Sequence, residues 1–392
     1  MNSPIRKGPA LGSLWAGFDT PPLERHKPSR AALTAGPLVR PLNHAPSWII
    51  VLAAATGSLG EVAPRTETTR PAATSASSRE VPVPHTYDIR YRYKLTNRTD
   101  RPLQDVRVCI PIPQDCPYQK ILSFALTLPG QPHTTEDVTD QFGQKIVRIG
   151  LDRLDPKASV ETGFACRVRF RIGFKVPLEP KRVGTLNDVP PDIRSMYTSD
   201  LPGVYDLGSP EIRQVSAELA GPHQTPLDRV LAIHDFVAST LKYVRDGTWD
   251  SAPVVLRRQT GSCSEFSFLF CALCRAAGIP TRLVGGSTCR VRPGGPWPRK
   301  DDVHHRWTEV YIPPYEWVPF DVTRNRGRPP KRDHVGAHPA PALILSRSGG
   351  NSRLLKTQYV GWNTHAAFLE RTREFIWSPV DQTDLTADPA RD

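Results

Sequence analysis

The chain has 392 residues, of which 39% are hydrophobic and 23% charged, and carries a formal charge of +12 at neutral pH. This length allows two or three domains with cores of their own, and the basic residues are scattered without a run interleaved with aromatics, so no nucleic-acid partner is expected. Seven cysteines are too few for a disulfide scaffold in so long a chain, and no apolar run approaches the ~20 residues of an integral membrane span.

The first apolar stretch is "WIIVLAAA", residues 48–55, which follows Arg40 and His44 and ends on an A-x-A pattern at Ala53 and Ala55. It has the character of a secretory signal core, although a long and largely polar stretch precedes it. Two readings stay open. A start near Val39 would make it the leader of a secreted or periplasmic protein; otherwise it is one greasy patch at the N-terminus of a cytoplasmic protein. Residues 56–84 are rich in Thr, Ser, Ala and Pro without periodicity, so 1–84 read as leader plus linker.

The pattern then acquires period two. Tyr87, Ile89, Tyr91, Tyr93 and Leu95 alternate with polar residues, as do Val106, Val108, Ile110 and Ile112, and then Phe164, Cys166, Val168 and Phe170. Each is a strand with one buried face, and turn clusters such as "TNRTDRP" and "LPGQPH" separate them. Residues 85–200 are therefore expected to form an all-β sandwich domain. Cys109 falls among the polar alternates and Cys166 on the apolar face, so the two point to different sides and no bridge between them is expected.

From 209 the period becomes helical. Thr225 is an N-cap, Pro226 the first helical residue, and Leu227, Val230, Leu231, Val237 and Leu241 form an apolar stripe that includes His234, to which no chemistry is assigned. In "GSCSEFSFLFCALCRAAGIPTR", 261–282, Ser262 and Glu265 have capping-box spacing, Cys263 opens the helix, and Gly278 and Pro280 close it. "TRLVGGSTCRV" reads as a strand, followed by a Pro/Gly/Arg loop at 292–302. "HHRWTEVYI" and "WVPFDVT" are strands of a hairpin joined by "PPYE". The core is thus expected over 201–330, with 331–392 as its C-terminal extension.

A cysteine at the start of a helix is chemically distinct. The unpaired N–H groups and the dipole favour the thiolate there, and the same N–H groups can donate to an oxyanion on an attacked carbonyl. Cys271 and Cys274 lie in the apolar body of the helix, where they read as core, and their C-x-x-C has no downstream partner pair for zinc. A nucleophilic thiol needs a base and an orienting acceptor. His304 and His305 are adjacent at a strand start, so alternation lets one face the helix. Asp321 ends the next strand in an otherwise apolar run.

Four motifs in order over about 225–325 resemble the transglutaminase-like core family: the G-x-C-x-E helix start, the R-A-x-G-I-P-x-R helix end, the H-x-W-x-E-V-Y strand and the W-x-x-F-D-x-T strand. The resemblance implies an α+β fold, a papain-like core with the cysteine helix packed on an antiparallel sheet, here preceded by an all-β sandwich. It implies Cys263 as nucleophile, His305 as base and Asp321 as orienting carboxylate, with His304 facing away. The oxyanion partner in this family is often an aromatic or amide side chain upstream of the cysteine, for which Trp249 and Gln259 are the candidates. The implied function is acyl transfer through a thioacyl intermediate at peptide or carboxamide bonds of a protein or peptide substrate, needing no cofactor and no metal. An open 292–302 loop favours hydrolysis by a protease or amidase over transamidation. The alternatives are a protein-crosslinking transglutaminase, a glycanase-like amidase (which usually carries an upstream zinc C-x-x-C pair, absent from this sequence) and a silent interaction protein. The chain is too short for the calcium-regulated four-domain layout.

Overall fold

The alternation over 87–95 is realised in β1 (Thr86–Asn97), with odd-numbered side chains buried and the even-numbered Asp88, Arg90, Arg92 and Lys94 exposed. The computed structural model describes residues 85–289, 295–301, 303–339 and 341–380; the apolar stretch 48–55 lies outside them. Five strands follow β1: β2 (Leu103–Pro111), β3 (Gln119–Thr127), β4 (Thr134–Thr139), β5 (Lys145–Leu154) and β6 (Ser159–Phe170). They pair antiparallel in two sheets, β1-β6-β3 and β2-β5-β4. Tyr91, Phe164, Val108 and Ile149 are among the side chains that fill the core between them, each fully buried residue of this size contributing roughly 1.5–3 kcal/mol.

Cys166 belongs to that core, whereas Cys109 packs with Ile146 and Leu355 on the other side of its sheet. The two thiols are free and point apart, as alternation requires. Cys109 is nonetheless buried, because a segment from the far end of the chain, including Leu355 and Trp362, covers its face.

A helical layer comes next: α1 (Pro191–Tyr197), α2 (Pro210–Ala220), α3 (Pro226–Thr240), the short strand β7 (Lys242–Tyr243), α4 (Ala252–Arg258), the short strand β8 (Thr260–Gly261) and α5 (Cys263–Ala276). Thr225 Oγ1 caps α3 by accepting the N–H of Asp228 at 3.1 Å. His234 is buried between Asp235 Oδ1 (2.8 Å) and Asn325 Nδ2 (2.9 Å), a satisfied core histidine. Helix α5 is buried on every side from Cys263 to Arg275, which explains its nearly continuous apolar sequence.

The remaining strands are β9 (Thr281–Thr288), β10 (Arg299–Asp301), β11 (His305–Ile312), β12 (Glu316–Phe320), β13 (Ala342–Ser348), β14 (Trp362–Asn363) and β15 (Leu369–Pro379). The core sheet has the antiparallel order β12-β11-β9-β13, and α5 packs against β11 and β9. The segment after 331 divides. Strand β13 extends the core sheet beside β9, whereas β14 pairs with β2, and β15 pairs with β1 from Tyr87↔Pro379 to Asn97↔Leu369. With β10 beside β15, the end of the chain completes the sandwich begun at residue 86.

Candidate active site

Three elements converge on one cleft. Cys263 is the first residue of α5, held in place by the parallel pair β7–β8, in which Lys242 N–H donates to Gln259 O (2.9 Å) and Val244 N–H to Gly261 O (2.9 Å). Glu265, fully buried one turn into the helix, accepts the N–H of Ser262 (2.7 Å) and of Asp250 (3.3 Å) and pairs with Arg258. It ties the helix start to the loop that carries Trp249.

His305 is the first residue of β11, opposite Gly286 of β9. Its Nε2 lies 2.7 Å from Oδ2 of Asp321, which follows β12 directly and is completely buried. With Nε2 committed to the carboxylate, Nδ1 is the ring nitrogen left for the thiol, and His305 and Cys263 interact electrostatically. The backbone N–H of Arg306 also favours the charged sulfur. Asp321 is held in turn by Arg324, through Nε (3.2 Å) and the backbone N–H (3.2 Å).

The electrostatics follow from this chain of contacts. Burial opposes ionisation of Cys263, but the hydrogen bond and charge of His305 and the N–H of Arg306 outweigh it, holding the thiol below its ordinary value. Burial likewise opposes the imidazolium of His305. The charge and hydrogen bond of Asp321, with the contribution of Cys263, raise it to about 10. Burial also works against the Asp321 carboxylate, and His305 and then Arg324 hold it below the usual range. Both shifts favour the thiolate–imidazolium form of the pair. Elsewhere on the same helix burial dominates: Cys271 is pushed up to about 12, and Cys274, with Cys271 beside it, well above its ordinary value.

The other expected residues separate. Trp249 lines the cleft on the cysteine side with Cys263 and Tyr359. Gln259 does not reach it: it is the exposed left-handed residue (φ 55°) that ends α4, and a turn position rather than a thiol contact accounts for it. His304 is not a strand residue. It has φ 62°, its N–H and that of Val303 donate to Asp301 Oδ1 (3.1 Å each), and its ring packs edge-on against Phe375 at 5.4 Å. A turn, not strand alternation, sets its backbone apart from that of His305, and rather than facing away it lines the cavities on both sides of the pair.

Sequence reasoning missed Arg306 and Tyr359. Arg306 is 1% exposed, with its guanidinium over the rings of Trp249 (4.5 Å), Tyr359 (4.5 Å) and Phe268 (4.9 Å). Its only sequence signal is its place between His305 and Trp307. Tyr359 comes from a segment with no periodicity. Two cavities flank the pair, one of about 530 Å³ on the Cys263 side and one of about 370 Å³ on the His305 side. Among the described residues no group of His, Cys, Asp and Glu is arranged to hold a metal ion, and no helix is long and apolar enough to cross a membrane.

A cysteine opening a buried helix, with histidine and aspartate delivered by neighbouring strands of an antiparallel sheet, is the papain-like arrangement. Within that class residues 213–322 match the transglutaminase-like superfamily, so the chain carries a transglutaminase-like core. Over 137 residues it is 26% identical to the uncharacterised protein YebA of Bacillus subtilis, and over 123 residues 28% identical to the protein-glutamine gamma-glutamyltransferase of Pseudomonas aeruginosa. Each match covers 30% of this chain but only 18% of the relative. The fold is shared with a crystal structure of a candidate cysteine protease from Cytophaga hutchinsonii, at a TM-score of 0.53 and 18% identity, covering 76% of this chain and 92% of that one.

Proposed function

We propose that the protein is a cysteine-dependent acyl transferase acting on peptide or carboxamide bonds, with water as the preferred acceptor. The observation that carries this reading is the 2.7 Å contact of His305 Nε2 with the buried Asp321 carboxylate, with Cys263 at the start of α5 interacting with the same histidine. The Cys263 thiolate attacks the carbonyl carbon and forms the C–S bond. Negative charge collects on the carbonyl oxygen, for which the N–H groups at the start of α5 and Trp249, which lines the same cleft, are the candidate donors. The imidazolium of His305 gives its proton to the departing amine as the C–N bond breaks. Water, losing a proton to His305, then attacks the thioester, releasing the acid and the thiolate. Asp321 holds the ring orientation and the imidazolium charge throughout.

Hydrolysis is favoured because the cleft is open at its rim, where Trp249 is 37% and Val303 46% exposed, so bulk water competes with scarce amines for the thioester. The test offers a labelled primary amine together with a casein-type protein and follows both peptide release and label incorporation, in wild type and Cys263→Ala. Release that depends on Cys263 supports the reading. Cys263-dependent incorporation without release would turn it to transamidation, and neither event would leave a silent interaction protein.

A further inference from the structure

The cleft on the Cys263 side is lined by Arg245, Arg371 and Arg373 and by no aspartate or glutamate. None of the three pairs with a carboxylate among the described residues. Acids are available nearby and are turned elsewhere. Asp246 and Asp250, in the loop that carries Arg245, both reach Arg258.

Strand β15 sorts its charges by face. Its outward positions Glu370 and Glu374 pair with Arg98, and with Arg92 and Lys300. The opposite face is buried at Leu369, Phe375 and Trp377 and carries Arg371 and Arg373 in between. In a strand of this pattern apolar residues are expected there. In register, these arginines stand across from Leu95 and Tyr93 of β1, and Arg373 lies over the Tyr93 ring at 5.8 Å. Behind the aromatic wall formed by Trp249 and Tyr359 stands a further positive charge. Arg306 is buried, its guanidinium donates through Nη2 to the carbonyl of Thr357 (2.5 Å), and its Nε and Nη1 have no hydrogen-bond partner among the described residues. Positive charges left unpaired around a partly desolvated cleft raise the local concentration of anions and reward a carboxylate placed among them.

We propose that this side of the cleft binds an acidic segment of the substrate, a peptide with Asp or Glu beside the reacting carboxamide, received by Arg245, Arg371 and Arg373. This rests on the reading of Cys263 as the nucleophile of an acyl transferase, and the experiment separates the two. Cys263 is alkylated with iodoacetate, an anion, and with iodoacetamide, its neutral counterpart. In both the thiolate displaces iodide, and the ratio of the two rates is compared with that for glutathione.

The wild-type ratio is expected to exceed that of glutathione by about fivefold, the size of effect partly exposed charge pairs give. It should fall to the glutathione value in Arg371→Gln/Arg373→Gln. It should also fall in half-molar salt, where the Debye length is ~4 Å. Arg153→Gln, on the far sheet where Arg153 pairs with Asp155, should leave the ratio unchanged. A wild-type ratio equal to that of glutathione, or one the double variant does not lower, overturns the proposal. Two peptides differing only in Glu or Gln beside the reactive carboxamide are then turned over, with the Glu peptide expected to have the lower KM. Equal kcat/KM for both overturns the acidic-segment proposal and leaves acyl transfer standing. A high alkylation ratio with neither peptide turned over keeps the anion site and removes the acyl-transfer reading.

Discussion

The guanidinium of Arg306 lies 4.5 Å from the ring centroid of Trp249, one residue along β11 from His305 and with its backbone N–H favouring the charged sulfur of Cys263. Burial lowers the pKa of this arginine, and Tyr359 and Cys263 work against that shift. Its charge therefore also favours the Cys263 thiolate. Replacing a buried charge by an apolar side chain of similar length is often neutral for stability. Arg306→Met should thus melt near wild type yet raise the thiol pKa, slowing iodoacetamide labelling of Cys263 at pH 6 several-fold more than at pH 9. An unchanged pH dependence would assign Arg306 to packing alone.

The two histidines should separate cleanly. His305→Ala removes the proton carrier and is expected to cost on the order of 10²–10⁴ in kcat. His304→Ala alters a turn residue packed against Phe375 and is expected to cost less than about tenfold, the range of positioning effects away from proton transfer. Comparable losses, measured on one peptide at one pH, would mean that His304 takes part in the chemistry.

For Asp321→Asn the expectation is a folded but slow enzyme. The amide keeps the shape of the side chain, but it can neither stabilise the imidazolium nor fix the tautomer, so kcat should drop by on the order of 10³ or more. Arg324 loses its carboxylate but is about one-third exposed at its side chain and can be solvated. If melting collapses in step with activity, the carboxylate is structural first.

How much of this was legible depends on the kind of pattern involved. Strands β1, β2 and β6 and helix α5 announce themselves by periodicity, and Cys263, His305 and Asp321 sit in short motifs whose residue types carry their own chemistry. What periodicity cannot encode is partnership. Nothing in "EFIWSPV" says that β15 will pair with β1, some 280 residues away in sequence. Two walls of the cleft were hidden for the same reason, since Arg371 and Arg373 line it from β15, while Tyr359 comes from the irregular segment before β14. Gln259 and His304 show the converse limit. Their positive φ values reflect local turns, and neither residue type signals such a turn strongly.

The glycine pair of β9 offers a stability test. A Cβ on Gly285 would lie 2.3–2.5 Å from the Tyr359 side chain, and one on Gly286 would lie 1.8 Å from the carbonyl oxygen of Leu343. Gly285→Ala can be absorbed only by moving Tyr359, a wall of the cleft, so it should cost ~1–3 kcal/mol in denaturant unfolding and reduce kcat/KM as well. Gly286→Ala meets backbone across the β9–β13 pair and should be the more destabilising. A Gly285→Ala protein of wild-type stability and activity would show that Tyr359 is free to move.

The dependence on pH follows from the ion pair. Activity requires Cys263 ionised and His305 protonated. The rate should therefore rise on an acid limb set by the lowered thiol, below its ordinary value of 9.0, and fall on an alkaline limb near 10 as His305 loses its proton. Stability carries the same signature. Because folding raises His305 from 6.5 to about 10, its contribution is complete below 6.5 and disappears as pH climbs through 10. Asp321 is depressed instead, so its contribution is present above its unfolded value of 3.8 and is lost only as pH falls through the lower folded one. Between pH 7 and 11 the wild type should accordingly lose more melting temperature than His305→Ala, which has no such proton to release. In Asp321→Asn the alkaline limb of activity should move to lower pH, since the charge of Asp321 is the largest contribution raising the imidazole. Matched pH–rate and pH–melting series on the three proteins check both, and an alkaline limb unmoved by Asp321→Asn would assign it to a group other than His305.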